Sequence, residues 1–133
     1  MKTSSFYLYH GPGRIAISRT VPKHISGFQR YPALAPGKWL FDETFVGDYA
    51  QRYREEILAP LDAQKVWDEL HALAGNDEPV LLCHEHLQKP GEQCHRRLVA
   101  QWFAEKLGVE VAEMPIVPRA KKPDPQLDLL ALL

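Results

Sequence analysis

The sequence predicts an α/β fold: a single compact, three-layer-like domain with a mostly parallel sheet, followed by a Pro-rich C-terminal tail. Three observations carry this. The run Val80-Leu81-Leu82-Cys83 is continuously apolar after Pro79, as a strand covered on both faces must be. An amphipathic helix follows it, and a final strand, Val109 to Met114, follows the helix. Strand, helix and strand from Val80 to Met114 make a βαβ unit, which requires parallel strands and a right-handed crossover.

The other elements are read in order. Ser5 to Tyr9 is rich in aromatics and reads as a short strand. Gly11-Pro12-Gly13 is a turn, and Arg14 to Ser18, with Ile15 and Ile17 alternating, reads as a second strand. From Arg19 to Phe41 no period is evident, which predicts a long ordered loop. Thr44 is placed to cap a helix with Phe45, Tyr49, Tyr53 and Ile57 at i+4 spacing, interrupted by Pro60. Asp62 is placed to cap a second helix showing Val66, Trp67, Leu70, Leu73 and Ala74 on one face and stopping at Gly75. The helix of the βαβ unit starts near Glu92 or Cys94 and ends at Gly108, with Leu98, Val99, Trp102, Phe103 and Leu107 toward the core. After Met114 the composition changes to Pro115, Pro118, Pro123 and Pro125 with Arg119, Lys121 and Lys122. The domain is therefore expected over 1–114 and the tail over 115–133.

Composition narrows the class. A chain of 133 residues with 45% hydrophobic and 25% charged residues fits one globular domain. No apolar run approaches the ~20 residues that span a bilayer, and no secretory leader is evident. A cytoplasmic protein without a membrane partner is expected, its two cysteines serving as thiols or ligands instead of a disulfide framework. The net charge of −1 is unevenly spread: six basic residues precede the first acid, Asp42, and ten acids then fall between Asp42 and Glu78. An acid-free basic segment points to a phosphate-bearing partner, a nucleotide or nucleic acid.

Parallel sheets place ligands beyond the carboxyl ends of their strands. Cys83-His84-Glu85-His86 and Ser18-Arg19 lie at that edge, and the helix opening Cys94-His95-Arg96-Arg97 faces it. A thiol at a helix N-terminus beside His and Arg is activated as a nucleophile. This reading makes Cys94 the nucleophile with His95 and Glu85 as acid–base partners and Cys83 beside them, and Ser18, Arg19, Arg96 and Arg97 as anion binders. The alternative is a tetrahedral zinc site from Cys83, His86, Cys94 and His95, with His84 able to replace His95. A third reading has Cys83 filling core as a small hydrophobe. His10 and His24 are near enough in sequence to join the site; His71 reads as a packed or surface histidine.

Leu81-Leu82-Cys83-His84-Glu85 paired with Cys94-His95-Arg96-Arg97, an amphipathic helix and then Val109 to Glu113 resembles the DUF 488 family. Ser18-Arg19 with Pro22, Leu34-Ala35-Pro36 and the aromatic helix after Asp42 resemble one branch of it. The similarity spans roughly Phe6 to Met114. It implies a compact α/β fold and marks Cys83, Glu85, Cys94, His95 and Arg96 as signature positions; it implies no particular reaction. The commoner form of the family has a Thr-Ile-Gly-Tyr strand and an Asp-Val-Arg motif. Here Ile17-Ser18-Arg19 keeps the arginine without the acid.

In the tail, Gln126-Leu127-Asp128-Leu129-Leu130 resembles the peptide with which bacterial replication proteins dock on the sliding clamp, with Leu130 where Phe is more usual. The competing reading is a short terminal helix packing on the domain. The residues together suggest a nucleotide- or nucleic-acid-directed enzyme linked to replication or repair. The alternative is a non-catalytic adaptor or regulator, with a structural zinc.

Overall fold

A computed structural model describes residues 1–41, 48–84 and 94–115. Five strands form one sheet: β1 (Lys2–Ser5), β2 (Arg14–Ala16), β3 (Gln29–Arg30), β4 (Val80–Cys83) and β5 (Ala112–Glu113), in the order β3-β2-β4-β1-β5. Every pairing is parallel, with Ser5 opposite Cys83, Ala16 opposite Leu82 and Arg30 opposite Ala16. The helices are α1 (Tyr49–Tyr53), continued by a wider helical turn over Arg54–Leu58, then α2 (Ala63–Ala74) and α3 (His95–Leu107).

Handedness explains which face each connection covers. The path from β3 through α1 and α2 to β4 passes over β2, and the path from β4 through α3 to β5 passes over β1. Both travel the same way across the sheet, so right-handed crossovers put all three helices on one face. The burial agrees: Ile15, Ile17 and Leu81 share a core with Val66, Leu70, Val99 and Phe103. The connections β1 to β2 and β2 to β3 travel the opposite way and cover the other face. There Phe6, Tyr9, Val21, Ile25 and Phe28 close over Ala16, Val80 and Leu82. The third layer is thus irregular chain. The direction of travel reverses between β1 and β4, which makes the carboxyl ends at Ser5 and Cys83 the switch point of the sheet.

Local signals fix the helices. Asp62 accepts from the N–H groups of Gln64 (3.0 Å) and Lys65 (3.2 Å), and α2 ends at Gly75 with φ 66°. α3 begins after Cys94 and stops at Gly108, which is left-handed. α1 is capped by Asp48, which accepts from Ala50 and Gln51. Thr44 and Phe45 lie outside the described residues.

Three expectations are corrected. The first strand is Lys2–Ser5, not Ser5 to Tyr9: after Ser5 the chain turns, with Leu8 and Tyr9 both donating to the Ser5 carbonyl and Tyr7 N–H donating to Ser5 Oγ. The aromatic run plugs the second face instead of pairing. The segment from Arg19 to Phe41 is not all loop; it contains β3 and two 3-10 turns, Pro32–Leu34 and Lys38–Phe41. The last strand is reduced to Ala112–Glu113, and it pairs with β1, so the βαβ unit spans one intervening strand.

Candidate functional site

Side chains alternate along a strand, so Leu81 and Cys83 point to the face that carries the helices. Thr3 and Glu113, opposite each other and in register with Leu81, point there too. The first turn of α3 descends on this corner. Cys94 is its N-cap residue, in extended conformation, and Cys83 and Cys94 form a small buried cluster of their own.

Arg96 organises the corner. It is 0% exposed, the largest fully buried side chain. Its Nε donates to both Glu113 oxygens (2.9 and 3.1 Å), and its Nη2 lies 2.7 Å from Glu113 Oε1. Thr3 Oγ1 donates to Glu113 Oε2 at 2.6 Å and orients the carboxylate. The remaining arm, Nη1, donates to Cys83 Sγ at 2.8 Å and reaches Cys94 Sγ at 3.9 Å. Burial works against the Arg96 charge, but the Glu113 hydrogen bond and the two neighbouring sulfurs outweigh it and hold the guanidinium pKa above its ordinary value. The cation is permanent.

His95 is 2% exposed and spans the corner. Its Nε2 lies 2.8 Å from the Ile17 carbonyl, which only accepts, so Nε2 carries hydrogen. In neutral His95 the unprotonated nitrogen is therefore Nδ1, and it faces Cys94 Sγ at 3.8 Å. The Tyr53 ring lies tilted against the imidazole at 5.6 Å, with its hydroxyl donating to the Leu34 carbonyl at 2.6 Å. Burial, then the neighbouring Tyr49, Cys94 and Cys83, push the Tyr53 pKa well above its ordinary value, so it is a neutral wall. The ligand atoms of Cys83, Cys94 and His95 all lie within 4.8 Å of one another.

The structure thus brings together Cys83, Cys94, His95 and Arg96. Arg96 is committed to Glu113 and the sulfurs inside the fold, whereas Arg97 is exposed on the outer side of α3. Glu85, His86 and Gln126 to Leu130 lie outside the described residues. His84 points elsewhere: its Nε2 lies 2.7 Å from the Thr20 carbonyl and its ring packs on Phe6. His10 contacts the Tyr7 carbonyl, and His71 the Trp67 carbonyl and indole. Ser18 and Arg19 line a cleft of about 770 Å³ at the carboxyl ends of β2 and β3, which Arg30 also lines. Glu113, Thr3 and Arg30 are participants that the sequence reading missed. Their placement follows from which strands are neighbours, an order that no local signal in the sequence states.

Comparison with known families decides the kinship. A model described as the active DUF488-N3 subclade matches residues 9–107. The chain belongs to the DUF488-N3a family. No curated protein and no solved structure matches it. The DUF488-N3a match contains Cys83, Cys94, His95 and Arg96, while Thr3 and Glu113, which orient Arg96, fall outside it. Among the described residues, no helix is long and apolar enough to cross a membrane.

Proposed function

We propose that this DUF488-N3a protein is a thiol-dependent enzyme directed at nucleotides or nucleic acid, with Cys94 as nucleophile and His95 as its base. One observation carries the reading: a buried arginine is aimed at two cysteine sulfurs while an imidazole, fixed by the Ile17 carbonyl, turns Nδ1 toward Cys94. A fixed cation stabilises thiolate, and an oriented imidazole accepts the thiol proton. In the proposed step Cys94 gives its proton to Nδ1 and its sulfur bonds to the electrophilic atom of the substrate. The leaving group departs with its electron pair and takes the proton from His95; water then displaces the sulfur. Glu85 is assigned as a further acid–base group on sequence grounds alone. Direction toward nucleotides or nucleic acid rests on the acid-free basic segment before Asp42.

The test is turnover on a panel of nucleotides and 5′-phosphorylated single strands, followed by chromatography and mass spectrometry. We expect Cys94→Ser to lose about a thousandfold or more in rate at an unchanged melting temperature. Turnover that survives this change removes the nucleophile.

A second reading has its own support. Cys83, Cys94 and His95 have the donor types and separation of three zinc ligands, and the Nε2–carbonyl bond is the kind that orients metal-binding histidines. A bound zinc would cross-link β4 to α3 or activate water. The Arg96 cation on the same sulfurs favours the thiolate reading. Elemental analysis separates them: one zinc per chain, lost in Cys83→Ser, establishes the metal site. In a non-catalytic adaptor the same protein would bind DNA with an affinity falling steeply with salt and show no turnover.

The tail reading adds a partner. We expect a peptide spanning 122–133 to bind a bacterial sliding clamp in the micromolar range, about −8 kcal/mol or weaker. Fluorescence anisotropy unchanged by Gln126→Ala and Leu129→Ala, or no binding at tens of micromolar, rules it out.

A further inference from the structure

The cleft beside the thiol centre has a chemistry of its own. β2 and β3 end side by side, and Arg30 stands opposite Ala16 in their register. Arg19 follows three residues after Ala16, so both guanidiniums leave the sheet at its carboxyl edge and line one cleft of about 770 Å³. That volume is in the usual range for small-molecule sites. Both arginines are exposed, and neither has a hydrogen-bond or ion-pair partner among the described residues. Among the described residues, no acidic side chain lines the cleft. The reason is visible in the sequence: its walls come almost entirely from residues 16–37, inside the stretch that precedes the first acid, Asp42.

The rest of the lining is different in kind. Pro32, Pro36 and Ile57 give an apolar side, and Ser18 a hydroxyl. The fold keeps this wall close: at Gly37 an added Cβ would collide with the Trp39 indole. Two arginines and an apolar wall in one cleft suit a ligand with a phosphate and a flat, weakly polar body. The cleft also shares its chain with the thiol centre. Ile17, between cleft residues Ala16 and Ser18, presents the carbonyl that holds His95, and Thr20 holds His84.

We propose that Arg19 and Arg30 form a phosphate subsite for a nucleoside 5′-phosphate, its base and sugar lying along Pro32, Pro36 and Ile57. The inference deepens the proposed function and rests on it only for the chemistry that follows binding. Guanidinium pairs grip phosphate through parallel charge-assisted hydrogen bonds, and each contact of this kind is worth about tenfold or more in affinity.

The experiment is isothermal titration calorimetry of the full chain with each of the four common nucleoside 5′-monophosphates, the matching nucleosides and inorganic phosphate. We expect at least one monophosphate to bind, its nucleoside to bind about a hundredfold more weakly, and inorganic phosphate to bind more weakly than the nucleotide. Arg19→Ala and Arg30→Ala should each weaken the nucleotide about tenfold, while Cys94→Ser leaves its affinity unchanged. No binding by any monophosphate, equal binding by nucleotide and nucleoside, or indifference to both arginine changes overturns the subsite. Binding of inorganic phosphate as tight as that of every nucleotide overturns the nucleoside part. Because Cys94→Ser retains the subsite, a failed nucleophile assignment leaves this result readable, and a failed subsite leaves the Cys94 turnover test standing.

Discussion

Glu113→Gln is the substitution that most directly tests how the site is held. Glu113 accepts three contacts from Arg96 and one from Thr3, and the Arg96 side chain is 0% exposed. Removing one partner of a buried pair costs about 3–5 kcal/mol when the other charge stays uncompensated. Two features reduce that figure. The Glu113 side chain is 27% exposed, so water reaches part of the carboxylate, and the amide keeps one acceptor oxygen. The amide nitrogen, however, can accept from neither Arg96 nor Thr3. We therefore expect a loss of about 2–3 kcal/mol. For a chain of this size that corresponds to a fall of about 8–12 °C in melting temperature. Urea unfolding followed by circular dichroism gives the free energy, with an unchanged m-value showing that the same surface is exposed. Thr3→Val removes the other donor at nearly constant volume, and the double mutant should show a coupling of about 1 kcal/mol, because both changes act on one carboxylate. A Glu113→Gln protein within about 0.5 kcal/mol of the parent would mean that Arg96 does not depend on Glu113, and the account of the site would fail.

Two further outcomes follow from the fold. Gly13 has φ +80°, and an added Cβ would collide with the Glu78 carbonyl, so Gly13→Ala should cost about 2–4 kcal/mol in a thermal or urea melt; Gly108, left-handed with open space around it, should cost only about 1 kcal/mol on the same change, and equal losses would refute the clash. Tyr53 has its folded pKa raised, so its contribution is full below the ordinary value of 10.0 and is lost as pH climbs toward the folded pKa: the unfolded chain releases the proton first, and stability falls by about 1.4 kcal/mol per pH unit for this group. Tyr53→Phe should remove that share of the alkaline slope in urea melts taken on both sides of pH 10, and an identical slope in both proteins would refute it.

The parts of the fold legible in the sequence are those fixed by nearby residues. Asp62 and Gly75 bracket α2 because a cap and a left-handed stop act within a few residues. Val80–Cys83 reads as a central strand because both its faces need apolar cover. β1 was hidden for the opposite reason. Lys2-Thr3-Ser4-Ser5 has almost nothing apolar, and it is a strand because β4 and β5 pair with it from both sides. The aromatics just after it carried a stronger propensity and a different job, sealing the second face. The same division runs through the site. The sequence places Cys83, Cys94, His95 and Arg96 at one edge because a parallel sheet brings strand ends and helix starts together, and the structure has these side chains in contact there. Glu113 and Arg30 depend on which strands are neighbours, and neither a period nor a motif states that order.

The contacts at the corner also bear on why chemistry proposed for so buried a place is physically reasonable. Cys94 is 1% exposed, and releasing its proton to water would leave a negative charge in a poorly solvated spot. Glu113 and Arg96 already cancel each other, so the corner has no spare positive charge to offset an isolated thiolate. Moving the proton to His95 Nδ1 instead leaves the total charge of the corner unchanged, because thiolate and imidazolium appear together. The Arg96 arm lies on the thiol side of that new dipole, near both sulfurs, and the Ile17 carbonyl lies on the imidazolium side, accepting from Nε2. Each fixed group therefore favours the separated charges over the neutral pair without having to move. The Thr3–Glu113–Arg96 chain adds no net charge to the corner; it fixes the direction of the one cation that the proposed proton transfer would use.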